Sequence, residues 1–218
     1  MAVEVEANAQ QGPKVFRLLA ALIVGLAVLC ISLYVAWQNA IDAPLARMQQ
    51  FYTQRELEGL GAAISEYEKR LGKAPHSIND LGATNDDSYV LNARLAGDGW
   101  HKPFIFSVSE TNAVAISYGR DGKPGGVGLD CDLSSTNWSP AESRPTFQQF
   151  LYDMPTRGMI KSSFGCAALS FLLALFTTKA PPFTRSGIWR FALKIILVTV
   201  AAAFVATVIT GLHVPSGH

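Results

Sequence analysis

Three aspartates, Asp121, Asp130 and Asp132, fall in a stretch from Ser117 to Asp132 that also holds Gly119, Gly122, Gly125, Gly126 and Gly128. Glycine at this density lets a backbone fold sharply back, but each such residue loses more conformational freedom on ordering than any other, so the loop needs an organiser. A turn at Gly125 and Gly126 can bring Asp130 and Asp132 against Asp121. Clustered carboxylates repel unless a cation joins them, and a hard ion such as calcium takes carboxylate and carbonyl oxygens at about 2.3–2.6 Å. Binding the ion would then be part of folding. The same residues also spell a plain turn at Asp121–Gly122, with Asp130 and Asp132 solvated and balanced by Arg120 or Lys123. Spacing alone leaves both open, because it is not that of an EF-hand.

Other chemistry is thinly represented. His76, His101, His213 and His218 are scattered and form no metal-ligand spacing, and the chain carries no nucleophile elbow, phosphate loop or zinc signature. Glu66 and Glu68 stand two apart, so on a helix they face different directions and make no acid–base pair. Cys30 and Cys166 lie in apolar runs, which leaves Cys131 alone in the polar middle, unable to close a disulfide within its own domain. A net charge of +1 gives no field for nucleic acid. No small-molecule substrate is indicated, and the expectation is a protein that is not an enzyme.

The loop must be positioned by the segment around it. Between residues 39 and 156 lies one domain's worth of chain. Asp42 before Pro44 is a cap and first-turn pair, after which Leu45, Met48, Tyr52, Leu60, Ile64, Tyr67 and Leu71 recur at helical spacing. Gly72 and Pro75 end that helix. Two short β-type runs follow, Phe104 to Val108 and Val114 to Tyr118, with Glu110, Thr111 and Asn112 as the turn. Helix first and hairpin second predicts an α+β fold, a long helix packed on a small antiparallel sheet. Farther on, Phe147, Phe150 and Leu151 make a short helical stripe.

Of the 218 residues 49% are hydrophobic and only 16% charged, below the roughly 25% of soluble domains. Three apolar runs account for this, each near the ~20 residues that cross a hydrocarbon layer. The expected organisation is an N-terminal tail 1–14, transmembrane helices at 15–38, 158–178 and 191–212, the domain at 39–156, a loop at 179–190 and a tail at 213–218. The first run is longer than a signal-peptide core and ends in Tyr34, Trp37 and Gln38 without a small-residue cleavage pattern, so it is expected to remain as an anchor. Lys14 and Arg17 flank the first span, and Lys179, Arg185, Arg190 and Lys194 crowd the link between the other two. The bias of short basic segments to the cytoplasm then puts the N-terminus inside and the domain outside.

The string Asp121-Gly-x-x-Gly125-Gly126-x-Gly128-x-Asp130-x-Asp132, preceded by Ser117-x-Gly119, resembles the C-terminal signature of the major pseudopilins, the G class, of type II secretion systems. Upstream, Asp98-x-Trp100-x-x-Pro103-Phe104 is similar to that family's turn into its hairpin, and Glu66-Tyr67, Gly72-x-x-Pro75, Ile78 and Leu81 to its helix exit. The resemblance runs from about Leu57 to Leu133. It implies a calcium site in which Asp121, Asp130 and Asp132 give carboxylate oxygens while carbonyls near Tyr118 and Arg120 add others. It also implies a noncatalytic structural or docking component in a bacterial inner membrane, its domain periplasmic, with envelope proteins and the lipid bilayer as partners. A sensor or accessory subunit of another envelope complex is the alternative. A pseudopilin opens with a basic leader, a glycine cleavage point, phenylalanine and an early glutamate, whereas here Gly12 precedes Pro-Lys-Val-Phe and no acid lies between Arg17 and Leu29. The chain is therefore expected to stay anchored rather than enter a filament.

Overall fold

A computed structural model of the protein describes residues 2–81, 97–109, 112–177 and 185–213, with backbone alone for 2–14 and 185. The chain divides into two compact units, one formed by Met1–Ala43 with Pro155–His218 and the other by Pro44–Met154.

The first unit consists of three helices, α1 (Ala2–Asp42), α5 (Arg157–Thr177) and α6 (Arg185–Gly211). All three are long and apolar enough to cross a membrane, over Val15–Asp42, Arg157–Thr177 and Ser186–Gly211. Helix α1 begins at Ala2, so the backbone of the stretch expected as a tail is helical. Small residues bring the helices close: Ala21, Val24 and Val28 of α1 share a buried cluster with Ala174 and Ala206. At Gly25 an added Cβ would stand 3.1 Å from the Phe171 Cβ, so bare backbone faces α5 there. The Arg17 guanidinium donates to the Leu175 carbonyl oxygen at 2.8 Å, satisfying one of the acceptors left over near the C-terminus of α5. The Phe16 and Phe191 rings lie 5.0 Å apart. Leu19, Ile23, Leu169, Phe176, Leu197 and Phe204 are exposed on outer faces, as suits side chains whose solvent is lipid.

The second unit is α+β. A 3-10 turn at Pro44–Arg47 leads into α2 (Met48–Leu71), so the regular helix starts a turn later than the Asp42–Pro44 pair suggests. Gly72 ends α2 in the left-handed conformation, its N–H donating to the Glu68 carbonyl. After the short α3 (Ile78–Leu81) come β1 (Ile105–Val108) and β2 (Ala113–Ser117), paired antiparallel with Ile105 opposite Ile116. Glu110 and Thr111 of the expected turn lie outside the described residues. A third strand, β3 (Leu133–Ser134), adds to β2 after the glycine loop, giving the order β1-β2-β3. Two residues are too few to show an alternating pattern in sequence. Last comes α4 (Phe147–Tyr152), closed at its start by a capping box between Thr146 and Gln149.

The core lies between α2 and the sheet. Leu57, Leu60 and Ile64 pack with Ala113, Ala115 and Leu133, while Phe104, Phe106 and Tyr67 cover its edges. Burying the three large aliphatic side chains of α2 is worth about 1.5–3 kcal/mol each. The buried stripe of α2 continues towards its start as Thr53, Gln54 and Gln50, not as Met48 and Tyr52, which are exposed, as is Leu71. At roughly 100° per residue Met48 lies opposite Leu57, and Tyr52 lies well off its face.

Candidate functional site

The glycine loop returns on itself between β2 and β3, and Gly119, Gly122, Gly125, Gly126 and Gly128 all take positive φ. Arg120 N–H donates to the Leu129 carbonyl at 2.8 Å across the loop. At Gly128, with φ +65, an added Cβ would fall 2.0 Å from the Gln149 amide oxygen, so glycine leaves room for that side-chain amide.

Each expected site residue has a definite place. Asp130 receives the Arg120 fork, with Nε to Oδ1 at 2.8 Å and Nη2 to Oδ2 at 2.9 Å, and Gln149 Nε2 adds a third donor at 3.1 Å. Arg120 also reaches Asp153 Oδ2 through Nη1 at 2.6 Å. Hydrogen bonds to Asp130 and then Asp153 raise the Arg120 pKa farther above its already high value, so the guanidinium is charged at any working pH. Asp121 is exposed and accepts the Lys123 N–H at 3.0 Å, an Asx turn. Asp132 accepts the Gly125 N–H through Oδ2 at 2.9 Å, while its Oδ1 is buried without a partner. Tyr118 and Asp132 line an open depression with Glu142 and Asn137. The Arg120 carbonyl, expected as a ligand, accepts from the Lys102 ammonium.

The buried Oδ1 of Asp132 is the one atom here that invites a cation. Against it, both oxygens of Asp130 and the Arg120 carbonyl already meet protein cations, and among the described residues no three His, Cys, Asp or Glu side chains converge as metal ligands. As placed, Asp121, Asp130 and Asp132 are not gathered as one set of metal ligands.

Several residues that build the loop carry no signature in sequence. Gln149 accepts Leu129 N–H and Thr146 N–H through Oε1, each at 3.1 Å, and donates to the Val127 carbonyl at 3.1 Å. Gln50 of α2 donates to the Gly128 carbonyl at 3.1 Å and to the Ser143 carbonyl at 2.7 Å. These amides supply the donors and acceptors that loop backbone needs once it is buried.

Asp98 ties the turn before β1 to the same place. It is 3% exposed, and its Oδ1 accepts Trp100 N–H at 3.0 Å and Lys102 N–H at 2.9 Å. Its Oδ2 accepts the Ser117 hydroxyl, whose oxygen in turn accepts Gly119 N–H at 3.2 Å. Thr53 fastens this turn to α2, accepting Gly99 N–H at 2.8 Å. His101 sits in this turn at φ 61 with its N–H on the Asp98 carbonyl, exposed, a turn residue. The Asp98-x-Trp100 string was the available signal.

Two titratable groups nearby are perturbed. Burial, then the Asp98 charge, raises the Glu56 carboxyl above its ordinary range, and Glu56 Oε2 is buried without a partner. Burial, then Asp132 and Glu142, raises the Cys131 thiol, which keeps it protonated at neutral pH and a poor nucleophile.

No curated protein and no solved structure matches the chain. Residues 45–136, less than half of the 218, match the family model described as type II secretion system (T2SS), protein G, and that segment holds α2, the three strands and the whole glycine loop.

Proposed function

We propose that this protein is a noncatalytic membrane-anchored component that presents a protein G-like domain outside the cytoplasmic membrane of a bacterium. There it docks against other envelope proteins of type II secretion or related pilus-like machinery. One observation carries the proposal: the family match falls on the α+β unit, while the rest of the chain supplies three apolar helices of membrane-spanning length. The basic residues Lys14 and Arg17, with Lys179, Arg185, Arg190 and Lys194, support a cytoplasmic N-terminus and cytoplasmic link, which puts the domain on the far side.

Affinity purification of the full chain from a detergent extract tests the role. Recovery of secretion-machinery subunits in stoichiometric yield is expected; a clean preparation without them, from cells assembling that machinery, would overturn it. For topology, a reporter fused after His218 is expected to be active outside the cytoplasm, and activity inside would reverse the orientation.

A second reading has its own support. Helices α5 and α6 lie beyond the matched segment, so the chain has a membrane part that the family match does not include. An accessory or sensory subunit of another envelope complex would use them to brace or signal to a partner, and co-purification with such a complex distinguishes it.

A further inference from the structure

We infer that two cations belonging to the chain, the Lys102 ammonium and the Arg120 guanidinium, take the place of a divalent ion in the glycine loop, which therefore keeps its shape without metal. This goes beyond the docking role and does not depend on it.

The Lys102 backbone is pinned on both sides, its N–H to Asp98 Oδ1 at 2.9 Å and its carbonyl accepting Asp98 N–H at 2.7 Å. From that fixed root the side chain crosses to the loop and its ammonium donates to the Arg120 carbonyl. The loop closes over the stem at Gly122, where an added Cβ would stand 2.7 Å from Nζ, 3.1 Å from Cδ and 3.2 Å from Cε. Glycine at this position, with φ +70, gives the lysine its channel. A calcium ion on the Arg120 carbonyl would compete with the ammonium for the same oxygen, and two cations held there would repel.

Arg120 does the rest. Its fork meets both oxygens of Asp130, and its remaining nitrogen reaches Asp153 at 2.6 Å, so the charge of Asp130 is met from within. Asp121 and Asp132 each accept a loop N–H, from Lys123 and Gly125, and so act as turn-formers. The loop carries the residue pattern of a calcium site and the contacts of a lysine-and-arginine clasp.

The test follows the melting of the full chain in detergent by tryptophan fluorescence, with a chelator and then with added calcium, beside calcium content by mass spectrometry. The wild-type midpoint is expected to hold within about 1 °C across both treatments, and Lys102→Met, which keeps the stem and removes the charge, to lower it by about 5 °C. One bound calcium per chain, or a rise of about 10 °C at a hundredfold excess over the dissociation constant, overturns the inference. So does a Lys102→Met midpoint equal to wild type. The calcium measurements use unaltered protein, so they decide the matter even if the variant does not fold.

Discussion

Ser117 donates its hydroxyl proton to Asp98 Oδ2 at 2.6 Å, a buried contact between residues nineteen apart that joins the turn before β1 to the entrance of the glycine loop. Because Asp98 also receives two backbone N–H groups, one carboxylate sets the direction of Lys102 and anchors the strand end beside it.

Replacing Asp98 by asparagine keeps the size but puts an amide donor where acceptors are required. A loss of about 2–4 kcal/mol is expected, against about 1 kcal/mol for Ser117→Ala. Urea unfolding of both single variants and the double variant checks this, and the double variant is expected to cost less than the sum because the residues share one bond.

Arg120→Lys is expected to destabilise although charge is kept, since a single ammonium cannot span both Asp130 oxygens and also reach Asp153. Arg120 is 33% exposed, so solvent screening limits the cost to about 1 kcal/mol. Thermal melts in low and high salt measure it: the difference between wild type and variant is expected to narrow as salt rises.

Gly61→Ala would improve helix propensity by about 1 kcal/mol in an exposed helix. Here the new Cβ would meet the Ser135 carbonyl oxygen at 2.5 Å, and backbone on both sides leaves little room to yield. A net loss of about 1–2 kcal/mol is expected, read from the melting midpoint. A midpoint above wild type would mean that α2 and the Ser135 segment separate easily.

Glu56 gives the fold a pH dependence. Burial, then Asp98, raises its folded pKa above the unfolded value, so the folded chain holds the proton more tightly. Its contribution is fully present below the unfolded pKa and is lost as pH rises through the folded one. Glu56→Gln is expected to flatten that slope and to raise the midpoint near neutral pH by roughly 2 °C. Melting across a pH series provides the check.

The second half of α2 was legible because Leu60, Ile64 and Tyr67 repeat at helical spacing, and β1 and β2 because their apolar runs are short and bounded. The face that the start of α2 buries was not. Its first three buried residues are Gln50, Thr53 and Gln54, and a polar side chain is buried at little cost only when a partner satisfies it. For Gln50 the partners are carbonyls 78 and 93 residues away, a relation that local spacing does not encode. The loop aspartates stood out for the same reason that their role did not: residue types mark a capacity for metal, while Lys102 and Arg120, which use up part of that capacity, are placed by the fold.

At Gly25 the first helix offers bare backbone to Phe171, and nearby Arg17 holds the end of a neighbouring helix through Leu175. A subunit drawn into a growing fibre has to surrender its lipid surroundings, and a solitary anchor can do so by sliding out. Drawing α1 away from α5 would leave an open notch at Gly25 and strip a guanidinium of its acceptor. In the membrane-anchored role proposed above, that makes the chain a fixed post around which other parts assemble.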